Sequence, residues 1–249
     1  MIRRESCVTK TFPAKSQTVP LTPADVIYED NHLLVVNKPA PLATMGVEDD
    51  RPSLIVDAKE YIGRKYDKPG NVFLGVVSRL DTPVTGVVVL ARTSKAASRL
   101  SKQFRNRTVD KRYQALVDGH VIPEKGECTD WIVRHPRHRK VLIGKPTDDG
   151  AQEARLEYRT VQHLKAHDGS PQTMLEVNLL TGRKHQIRIQ FGSRGHSILG
   201  DRKYGSDIPF PNGIALHGRW LMIEHPTKKI PMTFEAPLPK SWRRLGISS

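Results

Sequence analysis

Two short runs of branched apolar residues, VFLGVV at 72–77 and VVVLA at 87–91, enclose the nonapeptide SRLDTPVTG at 78–86. Runs this short and this rich in valine read as buried strands. Pro83 and Gly86 between them are turn residues. The sequence therefore puts a single carboxylate, Asp81, at a bend between two core strands, with Arg79 two residues before it. A carboxylate taken out of water is costly unless a cation meets it. A cation is expected to meet it there; the alternative is an Asx-turn aspartate that only holds the loop.

The rest of the chain is mostly strand-like. A run at 33–36 is apolar, residues 112–117 alternate into the Asp118-Gly119 turn, and 154–160 and 174–180 read as further strands. Residues 94–104 place Ala97, Leu100 and Phe104 at helical spacing, with Ser94 as the expected N-cap. Arg99, Lys102 and Arg105 project from the opposite side of that helix. Residues 185–191 fit either period: Ile187, Ile189 and Phe191 alternate, yet Ile187 and Phe191 also suit a helix that Gly195 could end. Several strands with few helices, not in strict alternation, favour an α+β fold with a bent mixed or antiparallel sheet. Residues 1–25, with Pro13, Pro20 and Pro23 and no hydrophobic period, are expected to form an extended arm, and 26–249 a single catalytic domain.

The formal charge is +14, and its distribution is uneven. Residues 99–145 carry 12 basic and 5 acidic side chains and residues 183–249 carry 12 and 4, while the remainder sums to −1. Two basic stretches on a balanced body suit a polyanion, because each neutralised phosphate releases counterions. No segment approaches the roughly 18 apolar residues of a membrane span, and the basic N-terminus lacks the apolar core of a secretory signal. Two cysteines, Cys7 and Cys128, make no disulfide framework, so a soluble cytoplasmic protein is expected, and a monomer. Cys128, His135 and His138 lack zinc-ligand spacing, and no metal is expected. With no Walker loop, G-x-G-x-x-G or G-x-S-x-G, no cofactor is expected either.

SRLDTPVTGVVVLART resembles the catalytic motif of the RluA-type pseudouridine synthases, usually H-R-L-D-x-x-T-S-G followed by an apolar strand. KRYQALV at 111–117 resembles the family's tyrosine-bearing strand, and LLTGRKHQIRIQFGSRGHSILGDRKYG at 179–205 its arginine motif and following loop. YEDNHLLVVNKPAPLATMG and LHGRWLMIEHPTKKIPMTFEAPLP match its opening and closing segments. The resemblance covers roughly residues 26–242. Two positions depart from it: the usual His is Ser78, and the usual Thr-Ser before Gly86 is Val84-Thr85. No room is expected for the family's common N-terminal S4-type RNA-binding module.

The resemblance implies an RNA-modifying isomerase that breaks the uracil N1–C1′ bond, turns the base and rejoins it through C5. Asp81 would be the catalytic carboxylate; attack at C1′, addition at C6 and abstraction of a sugar proton all remain open to it. Tyr113 would lie against the uracil and assist proton removal from C5. Arg183 would pair with Asp81, with Arg188, otherwise grouped with the RNA-binding residues, as its rival. Arg79 would enter the space left by an extruded uridine. Arg99, Lys102, Arg105, Arg107 and the run RHPRHRK at 134–140 would grip flanking phosphates. Ribosomal and transfer RNA are both candidate partners. The alternatives are a non-catalytic RNA-binding or RNA-folding protein on the same scaffold, and a uracil-releasing glycosylase.

Overall fold

The computed structural model describes residues 21–22, 25–46, 52–138 and 140–243. Most of the expected arm lies outside them, but Leu21 is buried among Leu34, Val36 and Leu42, so folded structure begins before Val26. The described residues form an α+β fold built on one mixed sheet. Its strands are β1 (Val26–Glu29), β2 (Leu33–Lys38), β3 (Gly75–Val76), β4 (Thr85–Ala91), β5 (Asp110–Asp118), β6 (Lys125–Arg134), β7 (Val141–Gly144), β8 (Gln152–Lys165), β9 (Pro171–Leu179), β10 (Leu216–Glu224) and β11 (Pro231–Glu235). The order across the sheet is β1-β2-β4-β10-β5-β9-β8-β6-β7, with β3 on β4 and β11 on β10. The helices are α1 (Leu54–Lys65), α2 (Ser94–Asn106), α3 (Gln186–Gly192) and α4 (Lys240–Arg243).

The unbroken apolar run of β4 follows from its place in this sheet. Val87, Val89 and Ala91 pack on one face with Ala96 and Leu100 of α2, while Val88 and Leu90 pack on the other with Leu54, Ala58 and Ile62 of α1. A strand covered on both faces has no polar side to show. Its neighbour β2 is divided in the same way, Leu33 and Val35 to one cluster and Leu34 and Val36 to the other.

Parallel pairing occurs where β4 meets β10, and it is short: Thr85 opposite His217 and Gly86 opposite Gly218. Gly86 has φ 123, and a Cβ there would fall on the backbone of Gly218, so only glycine admits this approach. The two halves of the sheet join at this seam. The bend carrying Asp81 precedes β4 and lies against it.

Two local expectations are corrected. The N-cap of α2 is Thr93, extended at φ −138 and ψ 152, whose hydroxyl accepts from the Ala96 N–H at 3.1 Å; Ser94 is the first helical residue. Of residues 72–77 only Gly75 and Val76 pair as a strand. The ambiguous segment resolves as helix α3, with Ile187 and Phe191 in the largest core cluster and Gly192 ending the helix hard against the Tyr204 carbonyl. No helix among the described residues is long and apolar enough to cross a membrane.

Candidate active site

The bend at 78–84 is held from three sides. Thr44 brackets Leu80, its hydroxyl donating to the Leu80 carbonyl at 2.8 Å and accepting from the Leu80 N–H at 3.2 Å. Lys38, fully buried, donates from Nζ to the carbonyls of Leu42 at 2.6 Å, Pro39 at 3.0 Å and Thr82 at 3.4 Å. Burial drives its ammonium down to about 7 against the pull of Asp81. The Val84 N–H closes the turn on the Asp81 carbonyl at 3.0 Å, and the Ile214 N–H reaches the Pro83 carbonyl at 3.1 Å. Ser78, where the resemblance calls for histidine, works on the backbone: its hydroxyl accepts from the Val89 N–H at 3.1 Å and donates to the Val89 carbonyl at 3.3 Å. It supplies a missing rung of pairing to β4.

Asp81 points into a cleft of about 1490 Å³. Its guanidinium partner is Arg188, not Arg183: Nη1 of Arg188 donates to Oδ2 of Asp81 at 2.9 Å. The other two nitrogens of that guanidinium form a fork on Asp201, Nε to Oδ2 at 2.6 Å and Nη2 to Oδ1 at 2.8 Å. Arg188 and Asp201 are both buried, while the Asp81 side chain keeps 29% of its surface exposed. The fork fixes the guanidinium plane and leaves Nη1 to hold the cleft carboxylate. Arg183 lies on the cleft rim, its Nε donating to the Glu153 carbonyl at 2.8 Å. The physical reason is the helix: from 186 onward every side chain through 191 is buried, so Arg188 faces inward, whereas Arg183 precedes the first turn.

Tyr113 stands on β5 opposite Gly218 of β10 and Val177 of β9. Gly218 leaves its ring room beside Leu80, since even a Cβ there would sit 3.5 Å from Cε1 of Tyr113. Burial, and next the charge of Asp81, raise the phenol well above its ordinary value, so it stays protonated at neutral pH.

His185, Asp201 and Tyr204 belong to the site and were not singled out from the sequence. Nε2 of His185 is 3.7 Å from Oδ2 of Asp81, and its Nδ1 is 2.6 Å from the Tyr204 hydroxyl. The Arg188 guanidinium lies over the Tyr204 ring, 5.1 Å from its centroid. His185 is the left-handed N-cap residue of α3, at φ 54 and ψ 23, so its place beside Arg188 does not follow from helical spacing.

The cleft lining carries ten Lys or Arg side chains against two Asp, so the field at Asp81 attracts anions. Arg79, exposed on the bend, lines it and has no hydrogen bond or ion pair among the described residues. Arg105 and Arg107 at the end of α2 line it too, as do Arg134 at the end of β6 and His138 and Lys140 of the β6–β7 turn. Arg99 and Lys102 do not: Arg99 donates to the Pro226 carbonyl at 2.7 Å and ties α2 to the turn after β10. Among the described residues no group of three or more His, Cys, Asp or Glu is arranged to hold a metal ion.

Comparison with known proteins places the chain in a family. Residues 32–193 match the family model described as RNA pseudouridylate synthase. The chain is 34% identical over 232 residues to ribosomal large subunit pseudouridine synthase D of Xylella fastidiosa, covering 88% of this chain and 67% of that one. It is 35% identical over 232 residues to an uncharacterized RNA pseudouridine synthase of Aquifex aeolicus, covering 89% and 71%. Among solved structures, human RNA pseudouridylate synthase domain containing 4 superposes with a TM-score of 0.72 at 23% identity, over 91% of this chain and 94% of that one. Human RNA pseudouridylate synthase domain containing 1 gives 0.68 at 25% identity, over 86% and 83%.

Proposed function

The chain belongs to the RluA-type RNA pseudouridylate synthase family, and on that premise we propose that it converts a uridine of structured ribosomal RNA to pseudouridine with Asp81 as its catalytic carboxylate. The observation that carries this reading is the asymmetric hold on Asp81. Its Oδ2 is engaged by Arg188 at 2.9 Å, while Oδ1 has no partner among the described residues and the side chain opens to a basic cleft. Such a carboxylate is oriented with one oxygen available to the sugar and ring of a bound nucleotide.

The remaining residues take roles their positions suit. Arg79 enters the RNA stack in place of the extruded uridine, offsetting an unstacking cost of about a few kcal/mol. Tyr113, a protonated phenol near the carboxylate, packs on the uracil and offers its O–H as a hydrogen-bond donor; in that form it is not the base that takes the C5 proton, contrary to what the resemblance implies. Arg183, Arg105, Arg107 and the β6–β7 turn hold phosphates on either side of the target. Ribosomal RNA is preferred over transfer RNA because relatives such as that of Xylella fastidiosa carry the large ribosomal subunit in their names.

The test is to incubate the chain with transcripts of large-subunit ribosomal RNA and of transfer RNAs and map pseudouridine in each. A single new pseudouridine in the ribosomal transcript is expected. Modification confined to transfer RNA overturns the substrate, and free uracil without pseudouridine overturns the reaction.

A further inference from the structure

The Tyr204 hydroxyl has one proton to give, and its neighbours decide where it goes. It accepts from the Val141 N–H at 3.1 Å and lies 2.6 Å from Nδ1 of His185, so its own proton points to Nδ1. A neutral imidazole accepting at Nδ1 carries its proton on Nε2. That nitrogen is 3.7 Å from Oδ2 of Asp81, the same oxygen that Arg188 holds. Burial, against the pull of Asp81 and with the help of the cations Arg188, Lys184 and Lys203 around the ring, drives the imidazole down to about 4. His185 also adopts the left-handed conformation, φ 54 and ψ 23, uncommon for a residue with a Cβ and of a kind that clusters at working sites.

We propose that His185 is a positioning residue for Asp81: a neutral imidazole whose Nε2–H, directed by Tyr204, joins Arg188 on Oδ2 and so turns Oδ1 toward the substrate. The inference rests on the reading of Asp81 as the catalytic carboxylate. Two donors on one oxygen fix the carboxylate plane in a way that one cannot, since Arg188 alone leaves rotation about the Cβ–Cγ bond open. A separation of 3.7 Å is longer than a hydrogen bond; it closes when a nucleotide fills the cleft and excludes water, as catalytic contacts commonly do. Tyr204 serves both donors, its hydroxyl setting the His185 tautomer and its ring backing the Arg188 guanidinium. Its hydroxyl is itself anchored where β7 leaves the basic turn.

The first measurement needs no variant. Imidazole nitrogen–proton correlation spectra of the parent chain at pH 7, with the His185 signals assigned by their absence from His185→Gln, are expected to show the Nε2–H tautomer. An Nδ1–H tautomer or an imidazolium overturns the proposal. Kinetically, His185→Phe is expected to lower the single-turnover rate on the order of 10- to 100-fold, by analogy with the loss of residues that orient metal ligands. RNA affinity should stay put. His185→Gln, whose amide N–H can stand near the place of Nε2–H, should recover most of the rate. A parental rate in His185→Phe, a loss that falls on affinity instead, or a Gln variant as slow as the Phe variant contradicts the proposal. If His185→Phe does not fold, the tautomer decides. Asp81→Asn run in parallel separates the two readings: an active Asn variant removes Asp81 from the chemistry, whereas an inactive one beside a fully active His185→Phe removes only His185.

Discussion

Arg188 grips Asp81 with one nitrogen and Asp201 with the other two, at 2.9 Å and at 2.6 and 2.8 Å. Asp201 is buried and Asp81 is not, so the guanidinium bridges the core and the cleft. A lysine, a single point charge, cannot span both.

Arg188→Lys should therefore lower the single-turnover rate on the order of 10- to 100-fold. Arg183→Ala, which removes a rim cation, should weaken RNA binding and leave that rate nearly unchanged. Rapid-quench kinetics with saturating enzyme separates the two. The reverse pattern returns Arg183 to the place the family resemblance implies for it.

The number of phosphates that the cleft neutralises can be read from salt dependence. Replacing Arg105 and Arg107 with Gln should flatten the slope of log Kobs against log salt by roughly one for each phosphate no longer neutralised. Arg99→Gln and Lys102→Gln should leave the slope alone, because neither side chain lines the cleft. Filter binding across a salt series reads both, and equal effects at all four positions would undo the placement of α2 against the RNA.

Arg79 offers a cation without a partner among the described residues at the mouth of the site. If it offsets the unstacking of the target, Arg79→Ala should cost on the order of tenfold or more in kcat/KM on a helical or stacked substrate. The same variant should cost little on a short unstructured strand carrying the same sequence. An equal loss on both substrates would assign Arg79 to phosphate binding.

His217 predicts the acid limb of stability. It is fully buried at the seam of the sheet, taking the Thr85 hydroxyl proton at Nδ1 across 2.8 Å and donating from Nε2 to the Ala236 carbonyl across 3.1 Å. Both bonds suit the neutral ring, and burial holds its pKa at about 4, below the ordinary 6.5. Between those values the unfolded chain binds a proton that the folded chain refuses, so stability falls as pH drops from about 6.5 to about 4. In full the loss comes to about 3 kcal/mol. His217→Gln should remove this share of the slope in urea melts taken across that window, and an unchanged slope contradicts the assignment.

Much of the frame was readable from residue order alone, because β2 and β4 are short, apolar and bounded by turn residues, and because the segments of β5 and β8 carry alternation. Asp81 was readable for a physical reason: an ionisable group between two core strands demands an explanation. Its true partner was harder to read. Residues 185–191 satisfy two periods at once, and only the choice of helix turns Arg188 inward and leaves Arg183 on the rim. Lys38, Asp201 and Tyr204 act through contacts with distant segments, Lys38 on the carbonyl of Thr82 and Tyr204 on the N–H of Val141, which no local pattern announces. Helix α1 went unread although Leu54, Ala58, Tyr61 and Ile62 keep helical spacing.

The most direct measurement is pseudouridine formation by Asp81→Asn on a transcript that the parent chain modifies. Asparagine keeps the shape of the side chain and removes its charge and its nucleophilic oxygen pair. The variant should bind the RNA and fold as the parent does, yet leave every uridine unchanged. Pseudouridine appearing at the parental rate would contradict the role of Asp81 at its root.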